Sequence, residues 1–141
     1  MVSKIDHLGI LVEDINDNRE LFDILGLAVG KVEHVPAFGV DIAFIRVGES
    51  LVELVEPADP ESAITTDLGT TEQAALLHHV AYRVDDIEAQ LAKLRAAGIG
   101  LADEEPRQGA GGASVAFLER QAASGVRIEL VERDADLELG Y

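Results

Sequence analysis

The chain has 141 residues, of which 48% are apolar and 27% are charged, and it contains no cysteine. This length suits one compact domain, or two small modules that share a core. The lack of cysteine excludes a disulfide framework, a thiolate nucleophile and a thiolate metal site. Any metal would therefore need His, carboxylate or amide ligands.

The balance of 11 basic against 27 acidic residues gives a net charge of -16. Such a charge repels nucleic acid and anionic membranes, so neither is an expected partner. No apolar run is long enough to span a membrane, and the N-terminus lacks the pattern of a signal peptide, which predicts a cytoplasmic protein. Only three of the basic residues are lysines. We hypothesise a halophilic source, in which salt screens the self-repulsion of the chain.

An internal repeat organises the chain. The segment IDHLGILVEDI at 5–15 returns as LHHVAYRVDDI at 77–87, and SLVELVEP at 50–57 returns as VRIELVER at 126–133. Two copies of one unit are therefore expected. We place the first module at 1–57, a linker with a possible short helix at 58–76, the second module at 77–133 and a C-terminal tail at 134–141.

Each module predicts the element order βαβββ. In the first module, alternation and β-branched residues predict a strand at 5–12, a helix from Asp14 to Gly26, and strands at 29–32, 40–47 and 50–56. The second module repeats this order with a first strand at 77–84, a helix from 87 to Gly98, and strands at 100–103, 113–118 and 126–132. We predict an α+β fold, in which two tandem βαβββ modules form a curved, cup-like mixed sheet with helices on the outside.

The alternation of strand side chains places polar residues on the face away from the helices. Leu8 and its alternate neighbours face the helices, whereas Ile5, His7, Gly9 and Leu11 face the other way. Leu77, His79, Ala81 and Arg83 take the equivalent places in the second copy. A histidine beside a residue as small as Gly or Ala leaves room above the sheet for a ligand.

The same parity turns one carboxylate of each closing strand, Glu53 and Glu129, toward that face. Carboxylates that converge without a cation are costly to bury, whereas imidazole and carboxylate ligands suit a divalent ion such as Mn, Fe, Co, Ni or Zn. The alternative is that the histidines only bond to neighbours and the carboxylates are solvated. The predicted metal ligands are His7, Glu53, His79 and Glu129.

Two further histidines and a glycine run are given structural interpretations. His78 falls on the helix-facing side by strict alternation, and His34 lies in the turn-like segment EHVPAFG. The run GAGG at 109–112 leads into a strand and has no following Lys and Ser or Thr, so it is not a phosphate loop. It predicts a tight turn near a ligand.

The pattern resembles the vicinal oxygen chelate superfamily, which includes glyoxalases, bleomycin-resistance proteins and dioxygenases. The likeness is carried by IDHLGILVEDI, VGESLVELVEP, LHHVAYRVDDIEAQLAKLRAAGI, GVRIELVE and above all DEEPRQGAGGASVAFL, and it is greatest to the methylmalonyl-CoA epimerase family. It implies one glyoxalase-like domain that interconverts 2R- and 2S-methylmalonyl-CoA through a metal-stabilised enolate. Glu129 and Glu53 would then act as the catalytic acid and base.

The resemblance also implies an acyl-CoA as the small-molecule partner and a homodimer, which would cover exposed sheet edges. The alternatives are a glyoxalase I-like lyase or another metal-dependent member of the superfamily, and a bleomycin-resistance-like binding protein. Two positions depart from the epimerase pattern. Some members have Glu near Ile42, and many have HPK where this chain has Glu119-Arg120-Gln121.

Overall fold

The fold is given by a computed structural model that describes residues 1–134. The strands are β1 (Val2–Val12), β2 (Val29–Val35), β3 (Val40–Val47), β4 (Ser50–Pro57), β5 (Ala75–Val84), β6 (Arg107–Gln108), β7 (Ser114–Phe117) and β8 (Ile128–Glu132). The helices are α1 (Arg19–Ile24), α2 (Ala63–Leu68) and α3 (Ile87–Ala96), with short 3-10 turns at Asn16–Asn18, Ala110–Gly112 and Arg120–Ala123.

One eight-stranded mixed sheet contains both modules, in the order β2-β3-β4-β1-β5-β8-β7-β6. The central strands β1 and β5 are antiparallel to each other. β1 pairs in parallel with β4, and β5 pairs in parallel with β8. The two modules are therefore related by an approximate twofold axis between β1 and β5. The predicted α+β fold of two βαβββ modules in one curved sheet is confirmed.

The two module helices differ in how well the sequence predicts them. α3 begins after Asp86, whose side chain accepts a hydrogen bond from the Ala89 amide at 3.0 Å, and Gly98 follows it with a positive φ of 77°. The first helix is shorter than predicted, because a 3-10 turn takes its first three residues. Two apolar residues within the predicted span, Leu21 and Leu25, are 57% and 61% exposed.

Two strand predictions are wrong at their bounds. The expected strand at 100–103 is only an isolated bridge from Leu101 to Leu118, and the two-residue strand β6 takes its place in the sheet. β2 continues to Val35, so His34 lies on an edge strand rather than in a turn. There it is exposed and pairs with Asp41 at 2.9 Å, as a structural surface residue.

The cores of the two modules lie on both faces of the sheet. α1 and α3 cover the outer face, where α3 packs Ile87 and Leu91 on Leu130. On the inner face, an apolar cluster that includes Leu11, Ile42, Val55 and Ile64 surrounds a cavity of about 320 Å³. α2, at the place expected for a short linker helix, closes one side of this cavity. Among residues 1–134, no helix is both long and apolar enough to cross a membrane.

Candidate metal centre and active site

The site is built where β1 and β5 cross the approximate twofold axis. His7 lies opposite Ala81, and Gly9 lies opposite His79. A Cβ atom on Gly9 would overlap the imidazole ring of His79. The small residue beside each histidine therefore gives the ring of the other strand its room.

Each central strand contains a β-bulge directly before its histidine. The pairing passes from Ile5 to His7 on β1 while β5 advances by one residue, and it passes from His79 to Leu77 on β5 while β1 advances by one residue. Asp6 and His78 are thus the extra residues. Because a bulge breaks strict alternation, each turns toward the histidine that follows it.

These bulges overturn two predictions from alternation. His78 lines the inner cavity, instead of facing the helices. Ile5 and Leu77, which precede the bulges, do not face the site and are 43% and 66% exposed. Strand parity holds only within an unbroken ladder, so it failed on the N-terminal side of each bulge.

The structure brings all four predicted ligand residues together. His7 Nε2 lies 2.7 Å from Glu53 Oε2, 3.0 Å from Glu129 Oε1 and 3.0 Å from His79 Nε2. His79 Nε2 lies 3.8 Å from Glu129 Oε1. All four residues are buried. Donor atoms of His7, His79 and Glu129 therefore lie within 4.8 Å of one another at one buried place, the convergence point. Glu53 reaches it through its contact with His7.

The other nitrogen of His7 contacts a buried carboxylate. His7 Nδ1 lies 2.7 Å from Asp6 Oδ1. Asp6 also accepts hydrogen bonds from Arg83 at 2.6 Å and from Arg133 at 3.1 Å on each oxygen. Burial alone would raise the pKa of Asp6, but the bonds from His7 and Arg133 outweigh it and hold the pKa well below its ordinary value. Asp6 is therefore a permanent anion that orients His7.

The other nitrogen of His79 contacts a second imidazole. His79 Nδ1 lies 2.8 Å from His78 Nδ1, and His78 Nε2 lies 2.9 Å from Asp67 Oδ2. Arg127 donates to the other Asp67 oxygen at 3.0 Å. Burial lowers the pKa of His79 and of His78. The charges of His7 and Arg127 lower the pKa of His79 further. The second module thus supports its histidine with a neutral ring.

The electrostatics of the convergence point fit a cation. Burial would lower the pKa of His7, but the Glu53 charge and the bond to Asp6 keep it well above its ordinary value. Burial raises the pKa of Glu129, although His7 partly offsets this. Glu129 Oε1 is buried and has no hydrogen-bond partner among the described residues. The nearest nitrogen, His7 Nε2, holds at most one hydrogen, and Glu53 lies closer to it.

The spacing of the donor atoms leads to the same conclusion. Donor atoms that bind one ion at about 2.1 Å lie about 3 Å from one another. The atoms of His7, His79 and Glu129 lie within 4.8 Å of one another, and two of their contacts measure 3.0 Å. The residues present therefore fit a divalent metal ion.

The cavity beside this point is apolar on one side and cationic on another. Ile42 is part of the apolar wall and brings no carboxylate to the cavity. Arginines line the second-module side. Arg107 stacks on the Phe38 ring at 3.9 Å, and its guanidinium lies 3.7 Å from Asp103. The turn at Ala110–Gly112, predicted from GAGG, borders the same cavity, and Gly111 has a positive φ of 68°.

Sequence reasoning missed Asp6, Asp67, Arg127 and Arg133. Asp6 had a signal, because Asp6 and His78 occupy matching places in the repeat, directly before the two paired histidines. Asp67 and Arg127 had none. They come from the linker helix and from the segment before β8, and only the folded chain brings them to His78.

Comparison with known proteins agrees with this geometry. The sequence profile of the Glyoxalase/Bleomycin resistance protein/Dioxygenase superfamily matches residues 6–117. The chain belongs to this superfamily. It is 33% identical to the ethylmalonyl-CoA/methylmalonyl-CoA epimerase of Cereibacter sphaeroides, over 92% of this chain and 98% of that protein. It is 35% identical to the protein YqjC of Bacillus subtilis, over 96% of each.

The solved structures give the same placement within the superfamily. A methylmalonyl-CoA epimerase in complex with methylmalonyl-CoA and an ammonium ion superposes with a TM-score of 0.87 at 30% identity, and covers 96% of this chain and 97% of its own. The chain is therefore an enzyme, an isomerase of the methylmalonyl-CoA epimerase type.

Proposed function

We propose that this enzyme interconverts 2R- and 2S-methylmalonyl-CoA by proton transfer at C2, and that it depends on a divalent metal. The observation that carries the proposal is the cluster of His7 Nε2, His79 Nε2 and Glu129 Oε1 at one buried point beside a cavity, with Glu53 in contact with His7. Relatives that act on methylmalonyl-CoA support the choice of substrate.

The metal ligands in this proposal are His7, Glu53, His79 and Glu129. Their nitrogen and oxygen donors suit Co, Mn, Ni, Fe or Zn. Such an ion, when bound, would act as a Lewis acid that stabilises negative charge on the thioester and carboxylate oxygens of the substrate. The surrounding burial excludes water and strengthens this effect.

Glu53 and Glu129 are the proposed acid and base. β4 and β8 flank the central strands on opposite sides of the approximate twofold axis, so these carboxylates approach a substrate at the axis from opposite sides. One carboxylate accepts the C2 proton. The electron pair of the broken C2–H bond passes into the enolate. The carboxylic acid opposite then gives a proton to C2 on the other face. Each positioned transfer contributes on the order of 100- to 10,000-fold.

The arginines of the cavity account for an acyl-CoA partner. Seven of the 11 basic residues lie in the second module at 77–133. Of these, Arg107, Arg120, Arg127 and Arg133 line the cavity. We propose that Arg107 and Arg120, which are exposed, bind coenzyme A phosphates near the mouth. Arg120 thereby supplies a cation within the segment Glu119-Arg120-Gln121, which replaces the family's HPK.

We also propose that the enzyme is a homodimer. β2 is an edge strand of the sheet and exposes Val32 by 48%. A second copy would cover such an edge. Sedimentation at high salt and tens of micromolar protein should give a dimer, and a monomer alone would contradict this proposal. A cytoplasmic location stays a prediction.

The test of the function is hydrogen exchange at C2 of methylmalonyl-CoA in D2O, followed by proton NMR. Metal-loaded protein should exchange the C2 hydrogen of both enantiomers. His79→Ala should abolish exchange, whereas the matched variant His34→Ala should not change it, because His34 pairs on the surface. Absence of exchange by the loaded wild type would contradict the epimerase proposal. Full exchange after chelation would contradict the metal dependence.

A further inference from the structure

We propose that His78 is a positioning residue for His79. Its contact with Asp67, which Arg127 also binds, fixes which nitrogen of His79 carries the hydrogen. This inference rests on the proposed metal site. His79 Nδ1, His78 and Asp67 form an unbroken series of contacts of 2.8 and 2.9 Å. As a result of these contacts, His79 Nε2 carries no hydrogen and is directed at the convergence point.

The direction of each bond follows from Asp67. Arg127 contacts one oxygen of Asp67, and His78 Nε2 contacts the other. A carboxylate only accepts hydrogen bonds, so His78 must carry its hydrogen on Nε2. A neutral ring with a hydrogen on Nε2 has a lone pair on Nδ1. His78 Nδ1 therefore accepts.

The second bond is then fixed as well. Since His78 Nδ1 is an acceptor, His79 must donate from its own Nδ1 across the 2.8 Å contact. A neutral His79 with a hydrogen on Nδ1 has a lone pair on Nε2, which is the form that binds a metal. This assignment takes both rings as neutral and uses the hydrogen-bond partners of His78, and no property of the metal.

The first module supports this role by its symmetry. Asp6 and His78 are both the extra residues of a bulge, and each contacts Nδ1 of the histidine that follows. Asp6 orients His7 directly. His78 does so with a ring, which in turn contacts Asp67 of α2. Both nitrogens of His78 are engaged, so it is not an acid or base for the substrate.

Tautomers can be measured in the metal-free protein, by long-range proton–nitrogen NMR correlation with labelled histidine at mildly alkaline pH. We expect His79 with its hydrogen on Nδ1 and His78 with its hydrogen on Nε2. Asp67→Ala removes the acceptor that sets the direction, so the other tautomer of His79 should appear in this variant. A wild-type His79 with its hydrogen on Nε2 would overturn the proposal, as would an unchanged spectrum in Asp67→Ala.

Metal affinity gives a second readout, by competition titration with Zn²⁺. His78→Leu should weaken binding by about 10- to 100-fold. His78→Asn should restore part of it, because its side-chain oxygen can accept the Nδ1 hydrogen of His79. His34→Leu is the matched control and should bind as the wild type does. Unchanged affinity in a folded His78→Leu protein would overturn the proposal.

The two experiments separate this inference from the proposed function. A wild type that binds no divalent ion would overturn the metal site and the positioning role together. A wild type that binds metal but lacks C2 exchange would overturn only the epimerase proposal, since neither the tautomers nor the affinity of His78→Leu depends on the substrate.

Discussion

The two central strands, β1 and β5, each position one histidine of the site, but with different supporting groups. Each has a bulge before its histidine, and each gives a small residue to make room for the ring of the other. Behind His7 lies a buried carboxylate, whereas behind His79 lies a neutral imidazole. The β-bulge is common to both copies of the repeat, but the side chain that contacts Nδ1 of each histidine differs.

This difference has a consequence for the two ligands. Burial opposes the charged form of both rings, but Glu53 and Asp6 raise the pKa of His7 well above its ordinary value. Burial and the charge of His7 lower the pKa of His79. An anionic partner makes an imidazole the stronger donor to a metal. We therefore expect His7 to be the stronger of the two nitrogen ligands.

The largest expected effect separates the carboxylates of the two modules. Glu53→Gln should keep the metal, because His7, His79 and Glu129 form the close donor cluster without it. It should slow loss of the C2 hydrogen from one enantiomer by about 100- to 10,000-fold, and from the other much less. Exchange in D2O with each enantiomer measures this. Glu129→Gln is the matched variant and should lose metal as well as activity.

The comparison would change if Glu53→Gln exchanged both enantiomers at nearly the wild-type rate. Glu53 would then be a ligand only, and the second acid or base would be another residue.

Removing the charge behind each histidine should affect stability unequally. Asp6→Asn should cost about 3–5 kcal/mol, because it removes the anion that contacts the buried Arg133 guanidinium through both oxygens. Asp67→Asn should cost about 1 kcal/mol or less, because Asp67 and Arg127 are partly exposed and screened by solvent. Urea unfolding measures both. Equal losses would show that the two supports are equivalent.

The small residues of the two strands should also differ in tolerance. Gly9→Val places side-chain atoms in the volume of the His79 ring. It should weaken Zn²⁺ binding by at least about 100-fold, because it displaces a ligand. Ala81→Gly, the matching position beside His7, removes atoms and should change the affinity little. A Gly9→Val protein with wild-type affinity would contradict the placement of His79.

The smallest expected effect comes from salt. The first module at 1–57 has four basic and 11 acidic residues, whereas the second at 77–133 has seven and nine. Screening should therefore relieve repulsion mainly in the first module. Thermal melts from low to molar KCl should show a rising melting temperature. A melting temperature that stays constant or falls with KCl would contradict the hypothesis of a halophilic source.

The sequence predicted the fold and the placement of four polar residues because both depend on regular patterns. The repeat matched His7 with His79, and a strand period of two placed Glu53 and Glu129 on the same face. The bulges broke that period and hid His78. Whether a strand is bulged depends on its pairing with a distant strand, which local alternation does not contain.

The residues behind the ligands were less accessible to sequence reasoning. Asp67 contacts His78 from a linker helix. Arg133 contacts Asp6, which lies 127 positions earlier in the chain. Such contacts follow from tertiary packing, and no repeat or spacing marks them. The first helix is also shorter than predicted, and Leu21 and Leu25, two apolar residues of the predicted span, are exposed rather than packed.

The central claim is that both modules present Nε2 of their histidine to one metal ion. Crystallography of the metal-loaded enzyme, with anomalous scattering at the absorption edge of the metal, tests it most directly. We predict a single ion bound by Nε2 of His7 and of His79, together with Glu129 and Glu53. An ion bound through Nδ1 of either ring, or located away from the convergence point, would contradict the account.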